Sequence, residues 1–183
     1  MMPASTRSRA GLESPGEMGA GVADLLECLI QIKGLGDTPR RLVQRAAEFA
    51  ASPSSQSVAT AGVVEVARRL LTAEARFRRS LSLMLTRDQP ALETLPGDAA
   101  SGSARPEDVP GDSFDVCQRA FAAERAETLR VLDGCSAEQL NRTGIDPLRG
   151  PITVADLVAA MLAHDTDRLG DLVVRQTGGS DSG

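Results

Sequence analysis

Residues 63–84 of the chain read VVEVARRLLTAEARFRRSLSLM. The apolar residues in this stretch recur every three or four positions, as they do along one face of an α-helix. The pattern predicts a long helix from about Gly62 to Arg87. A helix of this kind has to pack its apolar side against other elements. The apolar side consists of Val63, Val66, Leu70, Ala73, Phe77, Leu81 and Met84.

The sequence before this helix predicts a first arm that is broken in two. Val22–Lys33 has apolar residues at helical spacing, and Gly34–Gly36 then interrupts the pattern. Thr38 is a good N-cap residue and Pro39 suits the first position of a helix. We therefore expect a second helix that starts near Thr38 and ends at Ser52-Pro53.

Two more helices are predicted downstream. One spans about Phe114 to Leu132, followed by a short turn that Ser136 and Gln139 would cap reciprocally. The last begins after Thr153 and ends before Gly178. No sustained two-residue alternation predicts a strand. The fold class expected is all-α, a four-helix bundle.

A segment rich in Pro and Gly separates the second and third helices, from Asp88 to Asp112. It is longer than an ordinary connection in a bundle, so we expect a long crossover at the end of the bundle. Residues 1–20 and 176–183 lack the apolar surface needed to order them and are predicted to be disordered tails. Residues 21–175 then form one bundle domain.

Composition excludes several classes of function. The net charge is −5, and the only aromatic residues besides one His are four Phe, so nucleic acid is not an expected partner. Asp24 and Glu27 interrupt the first apolar stretch, so no membrane segment is expected. The odd, widely spaced Cys28, Cys117 and Cys135 fit thiols in a reducing compartment, which predicts a cytoplasmic protein.

Four segments in this order resemble the DinB-like four-helix bundle family. They are the second-helix run from Val63 to Glu74, the run Phe121–Arg125, the run Gly150–Leu157, and Leu162-Ala-His-Asp165. The resemblance covers most of residues 22 to 175. It implies a bundle fold in which three His side chains hold a divalent metal, and homodimers are common in the family.

The chain departs from that family at the metal ligands. The resemblance matches the three His positions to Arg69, His164 and Arg168, so only one His remains. An arginine side chain stays protonated and offers no lone pair to a cation. We therefore expect no metal and no other cofactor.

The leading hypothesis is an enzyme whose former metal site binds a small anionic metabolite. Arg69 and Arg168 would bind the anion, and His164 would act as a general acid or base oriented by Asp165 or Glu74, with Asp167 as a further candidate. The reaction would be an elimination, or an intramolecular cyclisation that expels an anionic group, in a specialised biosynthetic pathway.

Three other interpretations stay open. The arginines could form only surface ion pairs, and His164 could be a hydrogen-bonded core residue. The protein could be a non-catalytic binding or accessory module on the same bundle. It could also be a metal-dependent thiol transferase or isomerase, as the family resemblance alone would suggest.

Overall fold

The computed structural model describes residues 15–51, 56–95 and 113–177, with side chains described for 24–51, 61–95 and 113–172. Within these ranges, the chain forms helices and one small sheet. In chain order the elements are α1 (Pro15–Ala50), α2 (Gln56–Thr86), α3 (Phe114–Asp133), α4 (Ala137–Leu140), β1 (Thr143–Asp146), β2 (Gly150–Thr153) and α5 (Val154–Thr177).

The predicted four-helix bundle is confirmed, and most of the predicted helix ends lie close to the observed ones. Ser136 and Gln139 form the expected capping box at α4. Thr153 caps α5, because its hydroxyl accepts from the Asp156 amide at 3.0 Å. Of the predicted tails, residues 1–14 and 178–183 lie outside the described residues. Residues 15–20 belong to α1 and 176–177 to α5.

The predicted break in the first arm is wrong, because α1 is one continuous helix through Pro39. A proline inside a helix cannot donate to the carbonyl four residues earlier, which here is that of Leu35. A side chain of another helix supplies the missing donor: Nη1 of Arg125 lies 3.1 Å from the Leu35 oxygen. Gly34 lets α5 approach closely, since a Cβ there would lie 3.2 Å from both methyl groups of Leu162.

The expectation of no strands is also wrong. β1 and β2 pair as an antiparallel hairpin from Thr143↔Thr153 to Asp146↔Gly150. Its turn is fixed by Asp146, whose Oδ1 accepts from the amides of Leu148 and Arg149, and Gly150 has a φ of 78° that favours glycine. Strands of four residues are too short to show a clear alternation, so periodicity could not reveal them.

Two separate apolar clusters show the directions of the helices. The first joins the early part of α1 to the late parts of α2 and α3 and the early part of α5; the second joins the opposite parts. Helices α1 and α5 therefore run one way, and α2 and α3 run the other way. The first cluster includes Cys28, Ile32, Leu35, Phe77, Leu81, Met84, Leu132, Leu157 and Val158, and the second includes Leu42, Phe49, Val66, Leu70, Cys117, Phe121, Leu169 and Leu172.

This arrangement explains the long connection after α2. Because α2 and α3 run in the same direction, the end of α2 and the start of α3 lie at opposite ends of the bundle. A 20-residue helix such as α3 is ~30 Å long, which an extended connection between Thr86 and Phe114 can span. Of that connection, residues 96–112 lie outside the described residues.

No helix in the described ranges is both long and apolar enough to cross a membrane.

Candidate functional site

A layer of charged side chains separates the two apolar clusters, and Arg125 of α3 lies at its centre. The Arg125 side chain is almost fully buried, with 2% of it exposed. Its Nη2 lies 2.7 Å from Oε2 of Glu74 on α2, and its Nη1 lies 2.7 Å from Oδ2 of Asp165 on α5. Thr128 donates to the other oxygen of Glu74. With the Leu35 carbonyl, all four long helices contribute to this layer.

The charges in this layer compensate one another. Burial by itself would lower the pKa of Arg125, but the carboxylates of Asp165 and Glu74, through their charges and hydrogen bonds, raise it above its ordinary value. The guanidinium also lies over the Phe121 ring, with Cζ 5.0 Å from the ring centroid. Arg125 is therefore a fixed positive charge that holds two buried carboxylates between the helices.

This layer changes the expected roles of Glu74 and Asp165. Both were expected to orient His164, but both bind Arg125 instead. Oδ1 of Asp165 lies 3.7 Å from Nδ1 of His164, which is too long for a hydrogen bond. Asp167, the third candidate, is exposed on α5. The carboxylates therefore keep the helix that carries His164 in place rather than orienting its ring directly.

His164 is buried, with 7% of its side chain exposed. Its ring and that of Phe77 form a T-shaped pair, with the centroids 6.0 Å apart. Nδ1 of His164 is buried and has no hydrogen-bond partner within the described parts of the chain. A buried polar atom without a partner is costly, and in native proteins such atoms are few.

The two candidate anion ligands differ in their surroundings. Arg168 lies one turn after His164 on α5 and is 26% exposed; its Nη1 lies 3.0 Å from Asp171, whereas its Nε is buried with no partner among the described residues. Arg69 is 49% exposed, and its Nε lies 2.7 Å from Glu65 one turn earlier on α2. Arg168 therefore has an unused donor inside the protein, and Arg69 has the ordinary ion pair of a helix surface.

These residues do not fit a metal ion. The described part of the chain contains no group of three or more His, Cys, Asp or Glu side chains placed to hold one. At the three positions that the resemblance matches to metal ligands, His164 is the only side chain with a free lone pair to offer. The nearest carboxylate, that of Asp165, is already bound to Arg125.

The sequence contains a signal for Arg125 and Thr128, two residues of the layer that were not predicted. Arg125 and Thr128 continue the inward side of α3, at four- and three-residue steps between Cys117, Phe121 and Leu132. Such spacing puts them on the buried face, whatever their polarity. A charged residue at that spacing indicates a buried partner of opposite charge, since an unpaired one would be prohibitively costly.

The described fold and the Arg125 layer define a four-helix bundle with an internal polar site. The sequence profile of the DinB superfamily matches residues 60–172. This stretch is more than half of the chain and includes all the site residues of α2, α3 and α5. The chain therefore belongs to the DinB superfamily.

One solved structure has the same fold over nearly its whole length. YfiT from Bacillus subtilis, described as "a probable metal-dependent hydrolase with an unusual four-helix bundle topology", superposes with a TM-score of 0.63. The match covers 94% of each chain at 14% sequence identity, so it establishes the fold and not the activity. A search of curated proteins found no significant match.

Proposed function

We propose that this chain is a metal-independent enzyme of the DinB fold that acts on a small anionic metabolite at the α5 face carrying His164 and Arg168. Two buried nitrogens, Nδ1 of His164 and Nε of Arg168, have no partner among the described residues, and this observation carries the proposal. Residues four apart lie on the same helix face. A ligand oxygen that reached both nitrogens would supply the partner that each lacks among the described residues.

The charge of the site favours an anion. Arg168 is permanently charged, and its Nε–H can only donate a hydrogen bond. Carboxylate, sulfate and phosphate oxygens accept such bonds well, and bonds between charged groups are stronger than neutral ones. Arg69 would be recruited from its exposed ion pair with Glu65, because surface pairs of this kind contribute only ~0–1 kcal/mol.

The proposed reaction is an elimination or a ring closure that expels an anion. In the elimination, His164 takes a proton from the carbon next to the one bearing the leaving group. The electrons of that C–H bond form a double bond as the bond to the leaving group breaks. The leaving group departs with its electron pair as an anion, which Arg168 stabilises. The activity is proposed for the cytoplasm and for a specialised biosynthetic pathway.

A second candidate is a non-catalytic binding protein with the same anion site. The observation that favours it is the engagement of Glu74 and Asp165 by Arg125. A His that acts as an acid or base is commonly oriented by a neighbouring group, and no carboxylate in the described part of the chain lies within hydrogen-bond distance of His164. This candidate predicts binding of an anion without any product.

Thermal unfolding with added ligands tests the proposal. We expect sulfate, phosphate or a carboxylate metabolite to raise the Tm of the wild type, since a ligand that binds only the folded state stabilises it by ~2.7 kcal/mol at a hundred times its Kd. The rise should disappear in the Arg69→Ala/Arg168→Ala double variant. The matched control is Arg130→Ala, which removes an exposed ion pair with Glu127 elsewhere on the bundle and should leave the rise intact.

Two results separate the candidates. Product formation that is lost in His164→Gln, with binding of the anion retained, supports the enzyme; binding without product across a broad set of anionic substrates supports the non-catalytic protein. Stabilisation by zinc or nickel and by no anion would contradict both candidates and would favour the metal-dependent interpretation.

A further inference from the structure

Two cysteines lie in the apolar cluster at one end of the bundle. Cys28 lies in the early part of α1 and is 3% exposed. Cys135 follows Gly134, the C-cap of α3, and is partly exposed. Both pack in the first apolar cluster, whereas Cys117 belongs to the second cluster near the other end. The fold therefore places two thiols that are far apart in sequence in one cluster and the third in the other.

The register of α1 and α3 puts the two cysteines within ~3 Å of the same level along the bundle. These helices are antiparallel, and they touch where Gly36 faces Leu129, with a Cβ on Gly36 lying 3.6 Å from a Leu129 methyl group. From that contact, Cys28 is eight residues back along α1 and Cys135 is six residues forward along α3. At 1.5 Å per residue these are displacements of ~12 Å and ~9 Å in the same direction.

The electrostatics of the thiols agree with this placement. Burial raises the pKa of Cys28, and repulsion between its thiolate and that of Cys135 raises it further. Burial also raises the pKa of Cys135. Repulsion between two charges falls with distance, so an effect of one thiolate on the other agrees with their placement in one cluster.

We propose that Cys28 and Cys135 are a thiol pair that forms a disulfide when the protein meets a low-molecular-weight disulfide. Cys135, the more exposed of the two, reacts first: its thiolate attacks one sulfur of the small disulfide and expels the other as a thiolate, which takes up the proton that Cys135 lost. The Cys28 thiolate then attacks the Cys135 sulfur in the mixed disulfide and expels the second small thiol. The protein loses two hydrogens, and the small disulfide is reduced to two thiols.

The link would join the early part of α1 to the end of α3 and close a long loop of the chain. Closing a long loop restricts the unfolded chain more than closing a short one, so the oxidised protein should melt at a higher temperature. The pair is thus a candidate site for reversible oxidative modification, independent of the anion site on α5. Because both thiol groups have raised pKa values, the reaction should be slow near neutral pH and faster at higher pH.

Intact-mass spectrometry of the whole chain, incubated with excess glutathione disulfide near pH 8.5, tests this inference. We expect a monomer that has lost the mass of two hydrogens, and a tryptic digest without reductant in which the peptides of Cys28 and Cys135 are joined. Trypsin separates the three cysteines, because Arg or Lys residues lie between each pair. Cys117→Ala should form the same link, and Cys135→Ser should form none.

Three outcomes would overturn the inference. One is a wild-type protein that keeps its full mass although its thiols are alkylated readily after unfolding. Another is a stable mixed disulfide with glutathione on Cys135 that Cys28 does not resolve. The third is a linked peptide pair that contains Cys117.

Discussion

Arg125 and Arg168 are both arginines on inward-facing sides of bundle helices, yet they occupy opposite kinds of environment. Arg125 is sealed between two carboxylates, a backbone carbonyl and an aromatic ring, and every described contact is internal. Arg168 is partly exposed; its Nη1 pairs with Asp171, and its Nε is buried with no partner among the described residues. The first arrangement is complete, whereas the second is the one at which we propose that a ligand binds.

The comparison gives Arg125 a structural role and leaves the proposed chemistry to the face that carries His164 and Arg168. The Arg125 layer uses its charges to fix four helices relative to one another, which leaves nothing to offer a substrate. The face of His164 and Arg168 lies on the same helix as Asp165, so the sealed layer holds that face in position. The proposed chemistry is therefore supported by a network in which it takes no direct part.

Removal of the Arg125 charge should have the largest effect. Arg125→Met leaves Glu74 and Asp165 buried without a positive partner, so we expect a loss of about 3–5 kcal/mol in the free energy of unfolding, measured by urea denaturation. Arg130→Met, on the exposed side of the same helix, should cost less than about 1 kcal/mol.

The protein should tolerate the removal of all three charges of the Arg125 layer together. The triple variant Glu74→Leu/Arg125→Met/Asp165→Leu removes all three charges together, and it should recover most of the stability lost in Arg125→Met. If the triple variant is as unstable as the single one, the loss comes from packing and not from uncompensated charge.

Pro39 should be coupled energetically to Arg125. Pro39→Ala restores an amide that competes with Arg125 for the Leu35 carbonyl, so a double-mutant cycle with Arg125→Met should give a coupling energy of about 0.5–1.5 kcal/mol. Strictly additive changes in the free energy of unfolding would mean that the bond to Leu35 contributes nothing.

The two proposed anion ligands should contribute little to stability. Arg69→Ala and Arg168→Ala should each change the free energy of unfolding by less than about 1 kcal/mol, because their ion pairs reach solvent. Chemical denaturation without added anions measures this. A loss as large as that of Arg125→Met would show that Arg168 is a structural residue and that no ligand site is needed to explain it.

The smallest expected effect is on the response to alkaline pH. A raised pKa means that a group contributes stability below its unfolded pKa and loses that contribution as the pH rises through its folded pKa. Cys28 and Cys135 should therefore lower stability above roughly pH 8.5, whereas Arg125 should stay charged well beyond that range. Denaturation curves at rising pH should show a shallower decline in Cys28→Ala/Cys135→Ala than in the wild type.

The sequence could predict the helices but not all of their ends or their partners. The apolar side of α2 and the caps at Ser136 and Thr153 are local signals, and each was confirmed. Pro39 was misread because its compensation comes from Arg125, 86 positions later in the chain. A local pattern contains no information on a donor that only the folded bundle brings near.

The residues of the candidate site show the same limit of prediction from local sequence. His164, Arg69 and Arg168 could be selected from the family resemblance, but their environments depend on helix packing. Glu74 and Asp165 were assigned to His164 because they are acidic residues at suitable positions. The structure pairs them with Arg125, whose inward spacing on α3 could be read from the sequence but was overlooked.

The most direct test uses the fact that His164 is the only histidine in the chain, so its ring gives a single set of NMR signals. We would titrate sulfate or phosphate into wild type, Arg168→Ala and Arg130→Ala at constant pH and ionic strength, and follow the imidazole nitrogens of His164. An anion site at His164 and Arg168 predicts a saturable shift in the wild type and in Arg130→Ala that is absent in Arg168→Ala. A shift of equal size in all three proteins that does not saturate, or no shift in any of them, would contradict an anion site there.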